Sequence, residues 1–171
     1  QVEWFLLDYE SHAKHQFFCS ELNDLYLRSP QLWEVDDGWK GYQWIDPDNS
    51  KDSIISFRRI AKNGSELTVV INFTPKTYEN FFLRTAQAGV YGEIFNSDDE
   101  KYGGSGVTNT GVQFESTRDK EFGKYSEGIR LRVPPLGAVI LSTLQFAYSF
   151  CDDSFSSSAS LVIVACVAAS K

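Results

Sequence analysis

Few residues of this chain are equipped for chemistry, and their spacing limits what each could do. The two histidines, His12 and His15, stand three apart near the start of a helical stretch. That spacing puts both on one side of a helix. A zinc-binding helix uses His-Glu-x-x-His spacing or draws further Cys, His or acidic ligands from nearby. Neither is found, so both are read as partly exposed helix side chains. Carboxylates are abundant: Asp36-Asp37, Asp46, Asp48 and Asp98-Asp99-Glu100. Cleavage and transfer of glycosidic bonds use paired carboxylates, one as nucleophile and one as acid/base. These acids, however, sit beside Gly, Pro, Asn or Ser, the setting of turns and solvated surface. Gly103-Gly104-Ser105-Gly106 lacks the Gly-Lys-Ser/Thr ending of a phosphate loop and opens no helix, so it reads as a flexible loop. There is no G-x-S-x-G elbow, and no histidine follows His15 to serve a serine nucleophile. No catalytic residue or metal ligand is assigned, and no cofactor is expected.

The aromatic cluster Trp33, Trp39, Tyr42 and Trp44 carries more weight. Flat aromatic faces stack on sugars as they do on cations and bases. The competing reading is a seam between the helix and the β region, closed by rings of large buried area. Tryptophan is well buried on average, which favours the seam.

The elements that would position these residues follow from periodicity. Residues 11–28 read as one helix, with Phe18, Leu22, Leu25 and Tyr26 on a single apolar stripe. Ser11 is its expected N-cap, and Pro30 stops it. The pattern changes near Gln43. Residues 53–60 and 66–72 are apolar and β-branched around Asn63-Gly64, a hairpin signal. Further strands are expected at 78–83, 90–95, 112–115 and 137–141. The clearest alternation is Ile129-Arg-Leu-Arg-Val133, with arginines on one face and apolar residues on the other. Short strands with turns between them imply a mainly β fold, an antiparallel sandwich. The long loop 96–111, rich in Gly, Ser, Asp and Asn, is expected to dock or to act.

Composition sets the outer limits. The chain has 171 residues, 42% of them hydrophobic, and a net charge of -7. That is enough for one domain with a real core. An acidic chain has no electrostatic reason to sit on nucleic acid or anionic lipid, so neither is an expected partner. Cys19, Cys151 and Cys166 are an odd, scattered set, read as free thiols of a reducing, cytoplasmic setting. The apolar run 161–169 is too short to span a bilayer. With no methionine, and an apolar run Trp4-Phe5-Leu6-Leu7 cut off at once, the chain is expected to be a fragment.

Several segments resemble the bacterial glycogen branching enzymes of the α-amylase superfamily. Glu3-Trp-Phe-Leu-Leu-Asp-Tyr-Glu-Ser-His12 is similar to the end of their catalytic domain. Glu21-Leu-Asn-Asp-Leu-Tyr26 and Ser29-Pro-Gln-Leu-Trp33 are similar to the helix that follows and its exit. Gly41-Tyr-Gln-Trp-Ile-Asp46 resembles the entry to the C-terminal β domain, and Asn72-Phe-Thr-Pro75 a strand end within it. Phe95-Asn-Ser-Asp98, Tyr102-Gly-Gly-Ser-Gly106, Thr108-Asn-Thr-Gly111 and Pro134-Pro135-Leu136 complete an ordered set over residues 1–141.

The resemblance implies a fold, an organisation and a role. The fold would be an α-amylase-type C-terminal all-β sandwich preceded by one helix from the end of a (β/α)8 barrel. Residues 1–40 would end the barrel domain, 41–141 would form the β domain, and 142–171 remain an unassigned tail. The family cuts α-1,4-glucan and rejoins the piece through an α-1,6 bond, with an Asp nucleophile, a Glu acid/base and a stabilising Asp. No residue here matches those three. The implied role is support of a catalytic barrel acting on glycogen or amylose, with this piece inactive alone. Trp39, Tyr42 and Trp44 become the candidate glucan contacts, and a stand-alone glucan-binding module is the rival reading. The helix stripe would pack on a barrel this chain lacks, leaving the isolated piece poorly stable.

Overall fold

The computed structural model describes residues 3–118 and 127–143. The Ser-rich acidic stretch 152–160, the apolar run 161–169, Cys151 and Cys166 lie outside the described residues.

A 3-10 turn, Trp4–Asp8, leads into helix α1, Glu10–Arg28, and a short helix α2, Pro30–Trp33. The expected cap at Ser11 is not one. Tyr9 holds the N-cap position without a side-chain bond. The preceding 3-10 turn already delivers the chain to the helix, and the Tyr9 carbonyl accepts from the N–H groups of His12 and Ala13. Pro30 acts as expected and also does more. It forces Ser29 out of the helical region, ending α1, then opens α2 at its first turn, where a missing N–H costs nothing.

Nine strands follow among the described residues: β1 (Tyr42–Asp46), β2 (Ile54–Ile60), β3 (Glu66–Asn72), β4 (Tyr78–Arg84), β5 (Val90–Asn96), β6 (Gln113–Glu115), β7 (Thr117–Arg118), β8 (Glu127–Val133) and β9 (Ala138–Thr143). One sheet has six strands in the order β1-β2-β3-β9-β5-β6, the other three in the order β4-β8-β7. The pairings between neighbouring strands are antiparallel. The hairpin at Asn63-Gly64 pairs Ile60 with Glu66. Gly64 takes a φ of 82°, and Asn63 Oδ1 accepts from Ser65 N–H. The last strand runs to Thr143, so Ser142 and Thr143 belong to the sheet rather than to a tail.

Period-two alternation builds two cores on opposite faces of the large sheet. Ile54, Val70, Tyr91, Val139 and Leu141 face the small sheet and meet Leu83, Ile129, Leu131 and Val133 from it. Val69 and Ile140, next in sequence to these, face the other way together with Leu67, and so does Phe95, which the irregularity between Glu93 and Phe95 turns to the opposite face; they meet Leu25, Phe18 and Leu22 of α1. Strands β3 and β9 are therefore covered on both faces, which is why they read as unbroken apolar runs.

That second core corrects the expectation for the helix stripe. Phe18, Leu22 and Leu25 pack on this chain's own large sheet. Phe18 meets Phe95 at a ring-centroid distance of 5.6 Å and Tyr102 at 5.3 Å. Tyr26 is not part of the buried stripe and stays exposed. The ground for expecting a poorly stable piece falls with it, since the sheet supplies the partner surface.

Candidate functional site

The aromatic residues singled out from sequence lie around one end of the large sheet. Tyr42 and Trp44 are two apart on β1, so both side chains point to one face. Trp44 pairs across the ladder with Phe57 and Tyr42 with Arg59. The Tyr42 ring stacks on Phe57 at 5.1 Å and meets Trp44 edge-on at 5.1 Å. Burial raises the Tyr42 hydroxyl above its ordinary value, against the opposing pull of Arg59. Arg59 also anchors the segment in front of β1. Its guanidinium donates to the carbonyls of Gln31 and Leu32 and pairs with Asp36 at 2.7 Å.

Trp39 occupies the turn that enters β1, 83% exposed. Gly41 closes this turn under Val35. A Cβ at Gly41 would run into the Val35 carbonyl, so the close approach requires glycine. Trp33 and Trp44 are each 44% exposed. The seam reading fails for Trp39 but not for the whole cluster. The helix–sheet seam is made by Phe18, Leu22, Leu25, Phe95, Tyr102 and Phe57, and Tyr42 and Trp44 adjoin it through Phe57. The strand beneath Tyr42 and Trp44 was missed by sequence reading, although the alternation of aromatics at 42 and 44 was its signal.

The second candidate is the segment 96–111, within which Gly103–Gly106 is not the flexible loop expected from its composition. Asp98 accepts from Ser105 N–H at 2.9 Å, Ser105 Oγ at 2.6 Å and Val107 N–H at 3.0 Å. Asp99 caps a 3-10 turn, Glu100–Tyr102, by accepting from Lys101 N–H. Glu93 on β5 accepts from Asn96 Nδ2, Asn109 N–H and Asn109 Nδ2. Asn109 in turn bonds the backbone of Arg132 in both directions, at 2.9 and 3.0 Å. A cleft of about 210 Å³ lies between this segment and α1, bordered by Glu21, Arg28, Asp99, Lys101 and Tyr102. Burial pushes the Tyr102 hydroxyl up, with Lys101 opposing. For Lys101, burial acts to lower its value, but Tyr102, Asp99 and Glu21 together hold it raised.

The turn reading holds for Asp98 and Asp99, whereas Asp46 is a strand residue at the end of β1. Asp36 is ion-paired, and Asp98 and Asp99 close the loop. Ser105 bonds Asp98 rather than any base. Among the described residues no group of three or more His, Cys, Asp or Glu converges on a metal-sized space, and no helix is long and apolar enough to cross a membrane.

Two antiparallel sheets, a helix laid on the outer face of the larger one and acids engaged in turns define an all-β accessory domain. The sequence pattern of the alpha amylase C-terminal all-beta domain matches residues 44–143. The chain belongs to that family. Its relatives include proteins named 1,4-alpha-glucan branching enzyme GlgB. That of Desulfitobacterium hafniense (strain Y51) is 41% identical across 82% of this chain and 22% of its own length. That of Halothermothrix orenii is 40% identical across 84% of this chain and 22% of its length. That of Prochlorococcus marinus (strain NATL1A) is 42% identical across 82% of this chain and 18% of its length. The chain thus spans about a fifth of the length of these relatives.

Proposed function

We propose that this chain is the C-terminal part of a cytoplasmic 1,4-α-glucan branching enzyme of glycogen biosynthesis. Residues 1–40 close the catalytic barrel domain, 41–141 with Ser142 and Thr143 at the end of the last strand form the all-β domain that supports it, and the rest of the tail has no assigned role. The carrying observation is the match to three branching enzymes at 40–42% identity over 82–84% of this chain. Asp98 and Asp99 serve as turn caps and Asp36 as an ion pair, and the transfer chemistry belongs to the remainder of the enzyme.

The test is a transplant. The segment of the D. hafniense enzyme that matches this chain is replaced with residues 3–143, and α-1,6 linkages formed from amylose are measured. The chimera is expected to branch amylose, and the chain alone to form no linkages. A folded chimera without branching, or branching by the chain alone, would overturn the reading.

Within that role, Trp39, Tyr42 and Trp44 are the glucan contact. The supporting observation is the exposure of Trp39 beside a strand that presents two further rings to one face. Pyranose rings offer C–H faces to such surfaces, and a solvent-facing tryptophan is free to take them. Retardation on a glycogen affinity gel reads this contact directly.

A further inference from the structure

Helix α1 holds one pair of metal-ligating side chains that neither the fold nor the glucan reading uses. Cys19 Sγ lies 3.7 Å from His15 Nε2, the two residues being four apart and exposed. Cys19 is a free thiol. Without an ion the contact is a weak thiol–imidazole hydrogen bond. The distance also has a second meaning. Zn²⁺ holds a thiolate sulfur at about 2.3 Å and an imidazole nitrogen at about 2.0–2.1 Å, and at a tetrahedral angle those two atoms stand roughly 3.6 Å apart. The pair already has the bite of a chelate.

We propose that His15 and Cys19 form a two-point site for a borderline-soft divalent cation of the Zn²⁺ kind, with water completing the coordination. Thiolate and imidazole together select such an ion over Mg²⁺ or Ca²⁺, which prefer oxygen. The imidazole is set in advance. Its ring lies near-parallel to Phe18, 6.1 Å away and tilted by 17°. Phe18 is fixed in turn by Phe95 and Tyr102 in the helix–sheet seam. That ring contact restricts the imidazole before an ion arrives, which favours affinity. His12, one turn earlier, is turned edge-on to Tyr9 at 6.3 Å and is not a ligand. No further Cys ligand was read near the histidines from sequence, yet Cys19 stands four residues after His15 and the helix brings the two side chains together. The site stands independently of the glucan reading.

The experiment uses the whole 171-residue chain carrying Cys151→Ser and Cys166→Ser, so that Cys19 is the single thiol. Co²⁺ is titrated as a spectroscopic stand-in for Zn²⁺, and the near-ultraviolet thiolate-to-cobalt charge-transfer band is followed. One ion per chain is expected, displaced by Zn²⁺, with the rate of Cys19 alkylation falling as Zn²⁺ binds. Cys19→Ser should abolish the band. His15→Ala should weaken half-saturation by at least about tenfold, since even outer-shell partners of metal ligands are worth 10–100-fold. His12→Ala should leave it unchanged. Far-ultraviolet circular dichroism checks that these exposed substitutions keep the fold. Absence of the band, indifference to His15→Ala, or an equal loss in His12→Ala would each overturn the proposal.

Discussion

The segment 96–111 and the aromatic turn 33–44 invert what their compositions suggest. The first is rich in Gly, Ser and Asp, yet a web of carboxylates and amides fixes it. The second is rich in tryptophan, yet Trp39 stands 83% exposed and Trp33 and Trp44 44%. Small polar residues confer mobility only when their side chains are left in water. Here Asp98, Glu93 and Asn109 turn inward and satisfy backbone N–H groups that a loop would otherwise leave bare. Large rings confer burial only when an opposing surface is vacant. The outer face of the large sheet was already taken by α1.

The contrast is broken most severely by Asn109→Ala. Asn109 is 4% exposed and bridges Glu93 to the backbone of Arg132. The substitution takes this partner from the half-buried N–H and C=O of Arg132 and leaves Glu93 without the Asn109 amide. A loss of about 3 kcal/mol in unfolding free energy is expected, since each unsatisfied buried group costs roughly 1–3 kcal/mol. Urea denaturation measures it, and a loss under 1 kcal/mol would mean that water replaces the amide and the loop is not fixed from within. Gly104→Ala comes next. A Cβ there would meet the backbone of Asp98, which cannot move without breaking the Ser105 and Val107 bonds. The expected cost is about 2 kcal/mol, the scale of local overpacking, read by the same method.

The pH dependence is smaller and falls on a tyrosine in each region. Tyr102 in the loop has its hydroxyl raised above the usual 10.0, chiefly by burial. The folded state therefore keeps that proton when the unfolded state has begun to release it. Stability contributed by the neutral phenol is complete below about pH 10 and lost as pH rises through the folded-state value. Lys101, raised above 10.5, acts in the same direction. Tyr102→Phe should flatten the alkaline fall in unfolding midpoint while leaving part of it, because Tyr91 and Tyr42 are raised too. An unaltered alkaline slope would place the titration elsewhere.

Much of this architecture was legible in the sequence, and the failures have a common cause. The strands at 54–60, 66–72 and 129–133 announced themselves because period two, β-branching and an Asn-Gly turn all agree there. The stripe Phe18, Leu22, Leu25 was visible too. Its destination was not, because the surface it covers is assembled from Leu67, Val69, Phe95 and Ile140, dispersed over three strands. The loop's rigidity was hidden for the same reason. Asn109 is anchored by residues 16 and 23 positions away, partners that spacing alone does not suggest. The aromatic residues were identified, but their exposure depends on α1 having claimed the alternative site.

The smallest effect on folding is expected where the largest effect on binding lies. Trp39→Ala removes a side chain that is 83% exposed, in a turn whose geometry is held by Gly41 and by Arg59 bonding Leu32 and Asp36. None of those contacts involves the indole. Stability should change by no more than about 0.5 kcal/mol, as for other surface positions. Retardation on a glycogen affinity gel should nevertheless disappear, while Asn109→Ala protein that remains folded should still be retarded. A retarded Trp39→Ala variant would remove this ring from the glucan contact. Loss of folding in the same variant would show that the ring is structural after all, and that the contrast between a fixed polar loop and a free aromatic turn is wrong.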